Sequence, residues 1–202
     1  MAKIHGARRA GATAALALLA AACGPPKGIA PGTVPAAEAP PALPPRPLAR
    51  VFVLEASGAQ PEDTTVKAPS GEQRVVVVRR SAPDYGIFAK LEFAANSLTA
   101  PAGAAEATLT IRPRPSVYGL DLTVEGTVAA GATIVFSYGA HFVAPAGARE
   151  RYGSNLAFEK ELAIGRIEGD SMMVFLPTSR PGSDLLRASL PGPGRYLVAA
   201  PR

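Results

Sequence analysis

Four groups of residues in this chain have side chains able to carry chemistry. The first is Glu168-Gly169-Asp170-Ser171-Met172, which sets a hydroxyl beside two carboxylates. A serine needs a base to take its proton, because an unassisted hydroxyl is a poor nucleophile at neutral pH. The chain offers few: His141 is the sole histidine after His5, no lysine follows Lys160, and no Gly-x-Ser-x-Gly elbow is present. Gly169-Asp170 therefore reads as a hairpin turn leading into a strand, and no catalytic residue is assigned. The second is His141 itself, with no other histidine or cysteine in the mature chain to share a transition metal, Cys23 apart. Beside Tyr138 and Phe142 it reads as a packed edge residue. Asp63, Asp84, Asp121, Asp170 and Asp184 stand singly, without the Asp-x-Asp spacing of calcium loops, so neither metal nor cofactor is expected. The third is Arg149-Glu150-Arg151-Tyr152, where two cations precede an aromatic. Phe142 to Asn155 reads as a contact loop, with Arg149, Arg151 and an exposed Tyr152 touching a partner. Arg79-Arg80 reads instead as a solvated strand end. The fourth is Cys23, the sole cysteine, which has nothing to pair with.

The elements that position these residues begin with the leader. Lys3, Arg8 and Arg9 precede the uncharged run Ala10 to Ala22, the order of a secretory signal peptide. That run is too short to span a bilayer, which takes roughly 20 residues. Leu18-Leu19-Ala20-Ala21-Ala22-Cys23 resembles the lipobox of bacterial lipoproteins. The resemblance implies cleavage before Cys23, acylation of its thiol, and anchoring to membrane lipid. Gly24, in place of an aspartate, resembles outer-membrane sorting in enteric bacteria. The mature chain is nearly neutral, with 18 basic residues against 16 acidic once the leader is gone. No basic block survives in it, so nucleic acid is not an expected partner. From Gly24 to Leu48 nine of the 21 prolines crowd together. Such a stretch favours polyproline II and reads as a tether with a reach of roughly 80 Å.

Beyond Ala49 the texture changes to short apolar runs between turn residues. Val51 to Leu54 and Val75 to Val78 are β-branched, the second expected to be buried on both faces. Ile87, Ala89, Leu91 and Phe93 alternate with Phe88, Lys90 and Glu92. Ala107, Leu109 and Ile111, then Leu120, Leu122 and Val124, alternate likewise with mostly polar residues. That period of two puts one face on a core. Further strands are expected at Thr64–Lys67, Thr133–Tyr138, Met172–Leu176, Leu185–Leu190 and Arg195–Ala199, and Ser154–Leu162 reads either as a short helix capped by Ser154 or Asn155 or as a strand through Phe158 and Leu162.

Some nine strands with turns between them imply a single antiparallel β-sandwich, of immunoglobulin-like or Greek-key type. Asn96-Ser97-Leu98-Thr99-Ala100-Pro101-Ala102-Gly103-Ala104 is similar to a stretch of the β-sandwich module of ankyrins and netrin receptors. The likeness spans about Phe88 to Pro145 and implies an interaction domain, without transferring any binding residue. Gly169-Asp170-Ser171-Met172 is similar to short runs in serine–lysine peptidases and in an esterase family. Those families place a lysine or histidine after the serine, and none follows here.

The expected organisation is a signal peptide over residues 1–22, a lipidated tether over 23–48 and a sandwich over 49–202. The expected role is that of a lipid-anchored, non-catalytic interaction or structural module in a bacterial cell envelope, on the outer membrane and facing the periplasm or the surface. Its expected partner is an envelope protein or a glycan. The alternative is a loop-based small-ligand or glycan binder, with a hydrolase third.

Overall fold

A computed structural model describes residues 43–202. Cys23, the signal peptide and most of the tether lie outside the described residues. The first strands are β1 (Arg46–Pro47), β2 (Val51–Val53), β3 (Glu55–Ala56), β4 (Thr64–Pro69), β5 (Arg74–Arg79) and β6 (Ile87–Phe93). There follow β7 (Leu98–Thr99), β8 (Glu106–Pro113), β9 (Gly119–Glu125), β10 (Thr127–Val128), β11 (Ala132–Ser137) and β12 (Phe142–Val143). Two short helices, α1 (Ala148–Tyr152) and α2 (Asn155–Lys160), come next. The chain ends with β13 (Ala163–Glu168), β14 (Met172–Phe175), β15 (Thr178–Gly182), β16 (Leu185–Ser189) and β17 (Gly194–Pro201).

The expected all-β antiparallel sandwich is what forms. The larger sheet runs β1-β14-β13-β17-β9-β8-β4, with β2 also paired to β17, and the smaller runs β15-β16-β11-β6-β5. Connections swing repeatedly between layers: β5–β6 lie in the smaller sheet, β8–β9 in the larger, β11 in the smaller, β13–β14 in the larger and β15–β16 in the smaller. Strand β17 then closes the larger sheet at its centre. Leu109, Ile111, Leu120 and Leu122 from one layer share a single core with Leu91, Phe93, Ile134, Phe136 and Leu186 from the other. Along β17 the alternation separates two cores. Tyr196, Val198 and Ala200 join the main one, while Leu197 and Ala199 join a smaller cluster with Ile167, Met173 and Phe175. Leu48 packs against that second cluster. Pairing therefore starts at Arg46, inside the proline-rich stretch, because edge strand β1 needs few donors. No helix among the described residues is long and apolar enough to cross a membrane.

Three expectations about burial are corrected. Val75 and Val77 are 48% and 37% exposed, because β5 is an edge strand with an uncovered outer face. Phe88, expected to face outward, is fully buried. The register steps from Val78↔Ala89 to Arg79↔Ile87 and so passes over Phe88, a bulge that turns its ring inward and leaves Ile87 half-buried. Arg80, expected in solvent, is 3% exposed.

Candidate functional site

The turn at Gly169-Asp170 forms as expected, with Gly169 at φ +57° and β13 paired to β14 across it. Ser171 is exposed on this turn, and its carbonyl accepts the Leu48 N–H at 2.7 Å. Its backbone thus fastens the end of the tether. Asp170 faces Arg195 at 3.1 Å.

His141 belongs to a polar cluster centred on Arg80. Strand β5 places Arg80 on the face of Val76 and Val78, and the guanidinium is enclosed by the loops that follow β3 and β11. Arg80 Nη1 donates to the carbonyls of Ser57 at 3.1 Å and Ala59 at 3.0 Å, and Nη2 donates to Tyr118 Oη at 2.7 Å. Tyr118 in turn donates to the Tyr138 carbonyl at 2.9 Å. Arg80 Nε lies 3.5 Å from Asp84 Oδ2, and that same oxygen is 2.5 Å from His141 Nε2. The guanidinium carbon sits 5.4 Å from the Phe88 ring centre and 5.3 Å from that of Tyr118, rings that stack at 5.4 Å. Burial raises the Tyr118 pKa, against the lowering pull of Arg80. Here a buried charge is matched by a carboxylate and three neutral acceptors, the arrangement a desolvated cation requires. Its chemistry is that of a clasp tying three loops together. Gly58 belongs to it too: at φ +76°, a Cβ there would lie 2.7 Å from His141 Nδ1. Among the described residues no three His, Cys, Asp or Glu gather to hold a metal ion.

A second network adjoins it. Tyr138 Oη donates to Glu159 Oε1 at 2.9 Å, with the Ser183 carbonyl a further acceptor at 3.1 Å, and accepts from Arg180 Nη1 at 2.9 Å. Burial, then the bond to Glu159, pushes the Tyr138 phenol up to about 12. Arg180 Nη2 also donates to the carbonyls of Glu159 at 2.6 Å and Leu162 at 2.9 Å, filling acceptors left open at the end of α2. Ser154 caps the other end, its Oγ accepting from Ala157 N at 3.1 Å.

Arg149, Arg151 and Tyr152 fall together on α1, but not as a uniformly exposed patch. Arg149 and Arg151 are exposed. Tyr152 is half-buried: its ring stands edge-on to Phe52 at 6.3 Å and tilted against Phe158 at 5.7 Å, and its hydroxyl donates to the Pro201 carbonyl. Burial, then the charge of Glu161, raises its pKa. The expectation of an exposed Tyr152 is corrected, since a phenol at the end of a short helix can bury its ring and still bond its hydroxyl. Arg151 remains over the ring, 5.7 Å from its centre.

Beyond α1, large apolar side chains are exposed at Leu156 on α2, 62%, and on and after β5. Val75 and Val77 project from its outer face, and Tyr85, 62% exposed, follows in the loop to β6. A hollow of about 430 Å³ flanks Val75, lined also by Gln73, Glu92, Thr133 and Arg187. Another of about 440 Å³ flanks Val77, lined by Glu62, Asp63, Arg79 and Tyr85. A third, about 420 Å³ and more apolar, lies between Leu162, Phe175, Leu176 and Arg180, with tether residue Leu43 on its wall. The chain matches no protein-family model, no curated protein and no solved structure.

Proposed function

We propose that this protein is a non-catalytic interaction module of a bacterial cell envelope, anchored to the outer membrane through acylated Cys23 and held off the lipid by its tether. The observation that carries the binding role is the β5 surface: two exposed valines on the strand and an exposed tyrosine in the loop that follows, lining two hollows. Exposed apolar groups gathered in this way mark interaction sites more often than isolated ones do. The lipobox resemblance and the nine-proline tether support presentation at a membrane surface. The likeness of residues 96–104 to the ankyrin and netrin-receptor module agrees with an adhesive role. In intact cells, a photo-reactive side chain at Val77 should cross-link a defined envelope protein, and Cys23→Ser should move the protein out of the membrane fraction. An unmodified Cys23 on the native mature protein would refute the anchor. Turnover of an ester, peptide or glycan that Ser171→Ala abolishes would refute the binding role.

One observation favours a second reading, binding of a glycan. The exposed Tyr85 ring stands beside Glu62 and Asp63 in one hollow, and a sugar takes both an aromatic face and carboxylate acceptors. Saturable binding of an envelope glycan, lost in Tyr85→Ala, would select it.

A further inference from the structure

Among the described residues the paths of the two main sheets end in four strands, with short β2 off the path on β17, and three of the four carry the features that block pairing with another chain. Strand β1 contains Pro47; β4 contains Lys67 and ends on Pro69; β15 contains Pro181 and breaks register between Ser179 and Gly182. Proline, lysine and bulges are the usual protection of a sheet edge. Strand β5 differs. It reads Arg-Val-Val-Val-Val-Arg, has neither proline nor glycine, and runs in register against β6 from Arg74 to Val78, with its one shift at the far end, between Val78 and Arg79. Over residues 74–79 it pairs with β6 alone among the described residues, and just past its end Arg80 bridges Pro61 and the Ser81 N–H donates to the Gln60 carbonyl. Its other side is a row of backbone donors and acceptors on a β-branched strand, the template that an added strand uses.

The charges define what fits it. Arg74 and Arg79 stand exposed at the two ends of the strand. Of the nearby acids, Glu92 is held by Arg187 and Thr133, Asp63 lies 3.5 Å from Arg112 with both side chains exposed, and Glu62 accepts only from the Ser81 hydroxyl. A second copy of this chain fits poorly. Its own β5 reads Arg-Val-Val-Val-Val-Arg and brings no carboxylate to either arginine. We infer that β5 takes an extended segment of another protein by strand addition, with carboxylates five residues apart, roughly 17 Å along the strand, meeting Arg74 and Arg79. This rests on the interaction-module reading and names the chemistry of its partner. Val75 and Val77, each beside a hollow, receive the alternate side chains of the added strand.

The test uses the detergent-solubilised full chain and two blocked peptides, Glu-Val-Thr-Val-Thr-Glu and Lys-Val-Thr-Val-Thr-Lys. The acidic peptide should bind about tenfold more tightly, the effect of two cross-strand charge pairs turned from repulsion to attraction. It should also slow hydrogen exchange at amides within residues 74–79. Changing Arg74 and Arg79 together to Glu should reverse the order of the peptides with the circular dichroism unchanged. If that variant misfolds, added salt on the unaltered protein should narrow the difference between the peptides. Equal affinities, a difference indifferent to salt, or binding without protection at 74–79 would overturn the inference. So would strong protection there before any peptide is added, or dimers of the free chain joined through β5. If neither peptide binds while a defined envelope protein is still cross-linked through another face, strand addition fails and the interaction module stands.

Discussion

Replacing Arg80 with Ala tests whether the polar clasp holds the sandwich. The change removes the donor to the Ser57 and Ala59 carbonyls and to Tyr118 Oη, and strips Asp84 of its guanidinium partner. Removing one member of a buried ion pair costs about 3–5 kcal/mol. Asp84 is 25% exposed and recovers some hydration, which draws the value down. Two carbonyls left without a donor and lost stacking on Phe88 and Tyr118 draw it up, so about 3–5 kcal/mol stands as the expected loss. Against a typical domain stability of about 5–15 kcal/mol this is severe, and at about 2–4 °C per kcal/mol it lowers Tm by about 6–20 °C. Urea unfolding of residues 43–202, followed by tyrosine fluorescence and far-ultraviolet circular dichroism, measures it. Asp84→Asn leaves the buried guanidinium its three neutral acceptors but no counter-charge, so it too should destabilise, by clearly more than Arg79→Ala. Arg79→Ala, at an exposed neighbour, is the control and should fall within about 0.5 kcal/mol of the parent. Equal effects of Arg79→Ala and Arg80→Ala would refute the clasp.

Three further outcomes follow from the packing. Leu109→Ala and Leu122→Ala should each cost about 2–5 kcal/mol in the same assay, because both side chains lie in the shared core; near-neutral effects would refute the sandwich assignment. Tyr152→Ala should lower stability through lost contacts with Phe52 and Phe158, whereas Arg149→Ala with Arg151→Ala should leave unfolding unchanged, which separates the packing part of α1 from its exposed part. Alkali should destabilise the domain. Tyr138 ionises near 10 when unfolded and near 12 when folded, so between these values the unfolded chain holds fewer protons and stability falls as pH rises. The contribution is complete below pH 10 and amounts to about 2–3 kcal/mol. In Tyr138→Phe the fall should shrink.

How much of this was legible depended on whether a strand has one covered face or two. Strands β8 and β9 were read correctly, their alternation being the direct imprint of a core on one side and water on the other. Strand β13 escaped because both its faces are covered: Ile164 enters the main core and Ile167 the second, while Gly165 lies where a Cβ would come 2.5 Å from Met173. Strand β15, with Pro181 and Gly182, has turn composition and owes its pairing to β16. Helix α1 is bounded by left-handed Gly147 and Gly153, a signal present in the sequence, but five residues are too few to show a helical period. Arg80 was within reach. It continues the two-residue alternation of Val76 and Val78, and the adjacent Arg79 disguised it as half of a solvated pair.

The β5 surface lay beyond local reasoning, because four consecutive valines have the composition of a strand buried on both faces. Whether such a strand is covered depends on which neighbours the topology supplies. In the larger sheet the outer face receives a second cluster of side chains, with Leu48 from the end of the tether packed against it. The smaller sheet has Val75 and Val77 partly exposed on its outer face. Two identical residue types therefore meet opposite fates, Val76 and Val78 in the core and Val75 and Val77 in solvent, through sheet order alone. An interaction role read from this surface is thus a consequence of topology. It also separates the candidate contact from the arginine pair on α1, so variants at the two places should affect partner binding independently. Loss of binding from Arg149 and Arg151 changes, with none from changes at Arg74 and Arg79, would move the contact back to α1.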